Sequence, residues 1–134
     1  MKLTEDECVL LLKDYLEKDG WIIGNKFCLG STKGIDIEAT KKSKTILVEV
    51  KGARASDTAK TKKRENFDSG QIKTHFGKAI VKMLELKYQN PTAMLAIANP
   101  DDEDIKRAIA NYVPFLKSLG IKHFWISKNQ IIEE

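Results

Sequence analysis

Three residues with the chemistry of a hydrolytic site fall on two short segments in the first half of the chain: Asp36, then Glu49 and Lys51. Glu49 and Lys51 are separated by one residue, Val50, at the end of an apolar run. On a β-strand their side chains therefore project from the same face. An acid and a base at that position cost several kcal/mol of desolvation unless they pair, bind a metal or face a wet cleft. The spacing therefore favours a functional site.

Asp36 lies in a second short segment, rich in β-branched residues, that we expect to pair with the strand carrying Glu49. The two carboxylates, with the main-chain carbonyl of Val50, could then hold a hard divalent cation such as Mg²⁺. Lys51 would orient or deprotonate a water and offset the negative charge that builds on a phosphorus centre. This combination suits phosphodiester hydrolysis.

The elements that must position these residues can be predicted from local patterns. Thr4 and Glu7 form a capping box that begins a helix ending near Asp19 and Gly20. Three strands should follow, over about residues 21–28, 34–39 and 45–51, and the last two form a hairpin.

The second half of the chain alternates helices with strands. A helix capped by Asp68 or Ser69 should end before Asn90. The remaining predicted elements are a strand at 93–98, a helix from 100 to about 117 and a strand at 121–126. The order αβββαβαβ predicts one α/β domain over residues 1–134, with a central mixed β-sheet flanked by helices and a basic loop at about 53–68.

These motifs resemble the PD-(D/E)XK restriction-endonuclease-like nuclease superfamily, through Gly34-Ile35-Asp36 and, on the next strand, Glu49-Val50-Lys51-Gly52. The order of elements is also similar, so the resemblance spans nearly the whole chain, although Ile35 replaces the proline of the motif. The resemblance implies a restriction-endonuclease-like core and a nuclease that cuts DNA, less often RNA, with Mg²⁺ or Mn²⁺. It implies Asp36, Glu49 and the Val50 carbonyl as metal ligands and Lys51 as the catalytic ammonium.

The resemblance also indicates supporting residues on the helices. Several branches carry a Gln on the helix after the E-x-K strand, often as Q-x-x-x-Y, and Gln71 is the candidate catalytic residue there. His75 stands where the Tyr would be, either at the cleft rim or on the polar flank of its helix. Many members carry an acid on the first helix, and the sequence leaves both Glu5 and Glu7 open for that role.

Charge and composition agree with a nucleic-acid partner without requiring one. The formal net charge is +4, with 42% hydrophobic and 31% charged residues. The absence of a long apolar span and of a secretory signal predicts a cytoplasmic protein with no membrane partner. The residues predicted to contact DNA phosphates, unless they only solubilise the loop, are Arg54, Lys60, Lys62, Lys63 and Arg64.

Two other interpretations stay open at the level of sequence. Glu49 and Lys51 could form an exposed ion pair on an edge strand. The chain could also be a non-catalytic nucleic-acid-binding or regulatory protein that retains the nuclease fold. At this length there is no room for a separate recognition domain, so specificity would come from loops, from a second copy in a homodimer or from a partner.

Overall fold

The computed structural model describes residues 2–24, 34–54 and 67–134. Its elements, in chain order, are α1 (Glu5–Lys18), β1 (Ile22–Ile23), β2 (Ile37–Lys41), β3 (Lys44–Val50), α2 (Ser69–Gln89), β4 (Met94–Pro100), α3 (Glu103–Ile109), a 3₁₀ turn (Ala110–Tyr112), α4 (Val113–Ser118), β5 (Ile121–Ile126) and β6 (Ile131–Glu133).

The six strands form one sheet in which each strand lies beside its predecessor, in the order β1-β2-β3-β4-β5-β6. β1, β2 and β3 are antiparallel, β3, β4 and β5 are parallel, and β6 returns antiparallel to β5. The parallel steps need crossovers, which α2 and the α3–α4 segment supply. The predicted α/β fold, with a mixed sheet flanked by helices, is therefore confirmed.

Helices cover both faces of the sheet and create two separate cores. Cys8, Leu12 and Leu16 of α1 pack on one face, against residues of β2 to β5 that include Val48 and Val50. α2, α3 and α4 pack on the other face, against residues that include Leu47. Because side chains alternate along a strand, Glu49 shares the face of Leu47 and points toward α2.

Both long helices begin with the local motifs that their sequences contain. The Thr4 hydroxyl accepts from the amide of Glu7, and the Glu7 carboxylate accepts from the amide of Thr4 at 2.8 Å. Asp68 and Gln71 form the same reciprocal pair at the start of α2. The predicted helix starts are thus confirmed, since each cap satisfies main-chain N–H groups that have no partner within the helix.

Several predicted element boundaries were wrong. The helix expected over 100–117 begins at Glu103 behind the cap Asp102 and is divided by the 3₁₀ turn. Pro114 explains the division, because its ring would clash with the carbonyl four residues earlier and it has no N–H to donate. β6 was not predicted. Of the strand predicted at 21–28, residues 25–28 lie outside the described part of the chain.

No helix within the described ranges combines the length and the apolar character that crossing a membrane requires.

Candidate active site

The carboxylate of Asp36 closes the hydrogen-bond ladder between β2 and β3. The regular pairing of these strands reaches Ile37 opposite Val48. Beyond that pair, the Val50 N–H donates to Asp36 Oδ2 at 2.8 Å, in place of a main-chain acceptor on β2. Asp36 is therefore fixed at the point where the two strands separate.

The Val50 carbonyl faces the same side as Asp36. Within a strand, the N–H and C=O of one residue point to the same neighbour, and the next residue points to the other. The Val50 N–H points to Asp36, and the Lys51 N–H donates to Ala98 O on β4 at 2.9 Å. The Val50 carbonyl is thus directed to the side of β3 on which Asp36 lies.

Glu49 is buried between two ammonium groups. Lys51 Nζ lies 3.3 Å from Glu49 Oε2, and Lys82 Nζ lies 3.0 Å from Glu49 Oε1. The Glu49 side chain is 9% exposed, so it lies deeper than an exposed edge-strand ion pair. The two ammoniums offset the desolvation of this carboxylate, one at each oxygen.

The carboxyl groups of Asp36 and Glu49 interact directly. The pKa of Asp36 is raised to about 7, first by burial and then by the negative charge and side-chain hydrogen bonding of Glu49. The hydrogen bond from Val50 N–H acts in the opposite direction, because it stabilises the carboxylate. Near neutral pH this pair can hold a proton that a bound cation would displace.

Of the two candidate acids on the first helix, Glu5 and Glu7, the structure brings Glu5 to this cluster. Glu5 is half-buried, and its pKa is raised by burial and by Glu49 and lowered by the charge of Lys51. Glu7 instead belongs to the cap of α1, where it accepts from Thr4. The structure therefore separates the two candidates that the sequence left open.

A close main-chain contact holds Glu5 there. A Cβ atom on Gly52 would stand 2.8 Å from the carbonyl carbon of Thr4 and would overlap the main-chain nitrogen of Glu5. Only glycine allows the end of the E-V-K-G segment to approach the first turn of α1 so closely. Gly52 thus brings the helix acid beside the strand acid.

The two candidate residues on α2 make different contacts. Gln71 Oε1 accepts from the Asp68 amide at 2.9 Å, so this oxygen serves the helix cap. His75 is half-buried against Phe67, with ring centroids 4.6 Å apart. Burial lowers the pKa of His75, and the nearby charge of Lys51 lowers it further, so His75 lies on the side of α2 that faces the site.

The predicted phosphate-contacting residues fall into two groups. Arg54 is buried, with Nε donating to the Lys2 carbonyl at 3.0 Å and Nη2 lying 4.0 Å from Glu7 Oε1. In this arrangement it fastens the start of the chain beside β3. The other four residues lie outside the described part of the chain: Lys60, Lys62, Lys63 and Arg64.

Lys82 is the site residue that the sequence analysis missed. Its ammonium donates to Glu49 Oε1 at 3.0 Å and to the Gly34 carbonyl at 2.5 Å. A signal was present, because Lys82 follows His75 by two helical turns and therefore lies on the same side of α2. Lys82 also lies directly before Met83, one of the apolar residues that α2 buries.

The donor chemistry fits a hard divalent cation, although the conformation does not present a complete ligand set. Asp36, Glu49 and the Val50 carbonyl are oxygen donors of the kind that Mg²⁺ prefers. Within residues 2–24, 34–54 and 67–134, however, no three Asp, Glu, His or Cys side chains are grouped closely enough to hold a metal. Both oxygens of Glu49 instead face ammonium groups.

A groove of about 250 Å³ opens beside Asp36, between α1 and the start of β2. Its lining includes Glu5, Val9, Ile23, Ile35 and Glu38. Asp36 and Glu5 are therefore accessible from solvent along this groove.

No family model and no curated protein matches the chain. Among solved structures, the chain is similar to the crystal structure of an XisH family protein from Nostoc punctiforme PCC 73102. The two share 20% sequence identity over 93% of this chain and 95% of the other, with a TM-score of 0.55. This likeness shows that the chain has the same fold along nearly its whole length.

Proposed function

We propose that this protein is a metal-dependent nuclease of the PD-(D/E)XK type, which hydrolyses phosphodiester bonds in DNA. The observation that carries the proposal is the contact between Asp36 and Glu49, with Lys51 Nζ 3.3 Å from Glu49. A half-buried and a buried carboxyl group at neighbouring positions of one hairpin, beside an ammonium, form a costly arrangement that a structural role alone does not require.

In this proposal, some residues of the site would bind the metal and others would position the water and the phosphate. Asp36, Glu49 and the Val50 carbonyl would hold Mg²⁺ or Mn²⁺, and Glu5 stands beside them to hold water or the metal's outer shell. The bound cation would supply Lewis-acid polarisation of a phosphate oxygen and a more acidic water. Lys51, which is 19% exposed, would orient the attacking water and stabilise the charge that develops on the phosphate.

The proposed partner is DNA, and the basic segment provides the phosphate contacts. Lys60, Lys62, Lys63 and Arg64 follow Gly52 closely in the chain. Cations leaving the end of the catalytic strand would bind the backbone on both sides of the scissile bond, without reading its sequence. Arg54 would act through the fold, by fastening the chain start, unless DNA binding draws its guanidinium outward.

The test is cleavage of linear, branched and single-stranded DNA, and of RNA with the same sequence, with Mg²⁺, with Mn²⁺ and with EDTA. The wild type is compared with Glu49→Gln, which keeps the shape of the side chain and removes its charge. Glu85→Gln is the matched control, because Glu85 is an exposed acid on α2. We expect cleavage that depends on the metal, is lost in Glu49→Gln and persists in Glu85→Gln.

Two other results would change the proposal. Salt-sensitive DNA binding without metal-dependent turnover would favour a non-catalytic nucleic-acid-binding protein. Cleavage by folded Glu49→Gln at the wild-type rate would show that the metal and the chemistry lie elsewhere in the chain.

A further inference from the structure

Lys82 makes two hydrogen bonds that join three parts of the site. Its ammonium contacts Glu49 on β3 and the carbonyl of Gly34, two residues before Asp36. Gly34 has a φ of +87°, a conformation that positions the turn leading into Asp36 and that suits glycine. Lys82 therefore ties α2 to the segments that carry both carboxyl groups.

The Lys82 ammonium contacts a Glu49 oxygen that a bound metal would need. A divalent cation held by Asp36 and Glu49 needs at least one Glu49 oxygen that no ammonium group contacts. In the structure, Oε2 faces Lys51 and Oε1 faces Lys82. An ammonium and a divalent cation cannot share one carboxylate oxygen at contact distance without strong repulsion.

We infer that Lys82 is a positioning residue that competes with the divalent cation for Glu49, so that loading the site exchanges an ammonium for a metal. This inference rests on the proposed function. In the metal-free protein, Lys82 pairs with the buried Glu49 and offsets its charge. When the cation binds, Lys82 moves off Oε1 while the Gly34 carbonyl keeps the ammonium at the rim of the site.

The competition accounts for the contacts of Glu49, because each of its two oxygens faces an ammonium group. Lys82 is 30% exposed, so its flexible side chain has solvent beside it into which the ammonium can move. Release of Lys82 would remove one positive charge from the acid cluster and so make it more attractive to a cation.

The experiment measures Mg²⁺ binding by calorimetry without DNA, in wild type, Lys82→Met and Lys82→Arg. Met keeps the length of the side chain and removes the charge, whereas Arg keeps the charge. Lys73→Met is the matched control, since Lys73 is an exposed lysine on the same helix. Glu49→Gln identifies which binding belongs to this site.

We expect Lys82→Met to bind Mg²⁺ about tenfold more tightly than wild type, equivalent to about 1.4 kcal/mol. Lys82→Arg and Lys73→Met should stay near the wild-type value. The direction is diagnostic, because a lysine with only a structural role would leave metal binding unchanged or weaken it on removal. The Lys82 ammonium resonance, identified by its absence in Lys82→Met, should also shift when Mg²⁺ is added to wild type.

The failures of the two ideas can be told apart. If Glu49→Gln abolishes Mg²⁺ binding but folded Lys82→Met binds no more tightly than wild type, the competition is overturned and the metal site survives. If neither wild type nor Lys82→Met binds Mg²⁺, the proposed metal-dependent function falls, and the inference falls with it.

Discussion

Gly52 and Glu5 meet backbone to backbone: a Cβ on Gly52 would overlap the Glu5 nitrogen, with the Thr4 carbonyl carbon 2.8 Å away. The first turn of α1 is thereby pressed against the residue that follows Lys51. This contact fixes the distance between the helix acid and the strand acid.

Gly52→Ala should displace the first turn of α1 and destabilise the protein by about 1–3 kcal/mol, as overpacking against backbone does. Urea unfolding measures the loss, and Glu5-dependent metal binding should weaken in parallel. The matched control is Gly77→Ala on α2, where an added Cβ would meet no atom within 4 Å. That change should stabilise the helix by about 0.5–1 kcal/mol. Wild-type stability in Gly52→Ala would show that the close approach is not required.

The raised pKa of Asp36 predicts how stability depends on pH when no divalent cation is present. The folded chain holds this proton up to about pH 7, whereas an unfolded Asp releases it near pH 4. Stability from this group is therefore greatest at low pH and is lost as the pH rises through that window. Urea unfolding in EDTA should show the free energy of wild type falling, relative to Asp36→Asn, between about pH 5 and 7.

The comparison with Asp36→Asn is needed because His123 acts in the opposite direction. Burial lowers the pKa of His123 to about 4, so protonation of the unfolded chain destabilises the protein as the pH falls below about 6.5. Asn keeps an oxygen that can accept from Val50 N–H, and His123 contributes equally to both proteins. If the difference in unfolding free energy between wild type and Asp36→Asn stayed constant from about pH 5 to 7, the assignment of the raised pKa to Asp36 would be contradicted.

Metal binding should also depend on pH, because a ligating carboxyl must lose its proton. Below the pKa of about 7, the apparent Mg²⁺ association constant of wild type should rise by roughly tenfold per pH unit, and it should level off above it. Calorimetry in buffers of different ionisation enthalpy should find close to one proton released near pH 6 and few near pH 8. A pH-independent constant with no proton release would separate Asp36 from the metal.

Glu5 and Glu7 should have separable effects. Glu5→Gln should weaken metal binding and cleavage without lowering stability, since burial already disfavours the charge of Glu5. Glu7→Ala should cost about 1 kcal/mol of stability, through loss of the capping box with Thr4, and should leave cleavage per folded molecule unchanged. The two assays are urea unfolding and initial cleavage rates. The reverse pattern would make Glu7 the helix acid.

Replacing Lys62 and Lys63 with Gln should weaken DNA binding for all sequences alike. The slope of log affinity against log salt should become shallower by about 2, because each phosphate contact contributes roughly 0.9. The matched control replaces Lys42 and Lys44 with Gln. These two lysines are exposed at the turn between β2 and β3, at the end of the hairpin far from Asp36. Equal slopes in wild type and in the Lys62 and Lys63 variant would remove the basic segment from the interface.

The parts of the molecule that sequence could predict depend on contacts between near neighbours. Both helix starts are capping boxes that span four residues, and the common face of Glu49 and Lys51 follows from strand alternation. Gln71 shows where prediction from sequence reaches its limit, because its position agrees both with a site residue and with a helix cap. Its position matched a supporting Gln of the nuclease superfamily, and the structure uses its side-chain oxygen in the cap of α2.

The parts that sequence could not predict depend on how distant elements pack. Lys82 reaches Glu49 only because α2 crosses the face of β3 that carries Glu49, and Glu5 reaches the cluster only through Gly52. No local pattern encodes such distances. The break between α3 and α4 was readable from Pro114, and the prediction of one continuous helix overlooked it.

The sheet order also has a consequence for how the molecule assembles. Asp36 and Glu49 lie on the two arms of one hairpin, so a short loop closure brings them together, whereas Lys82 arrives only after α2 docks. We expect the acid pair to form, during synthesis or refolding, before Lys82 is in place. Under the proposed function, a nascent chain in a cell that contains Mg²⁺ would therefore meet the metal before Lys82 reaches Glu49.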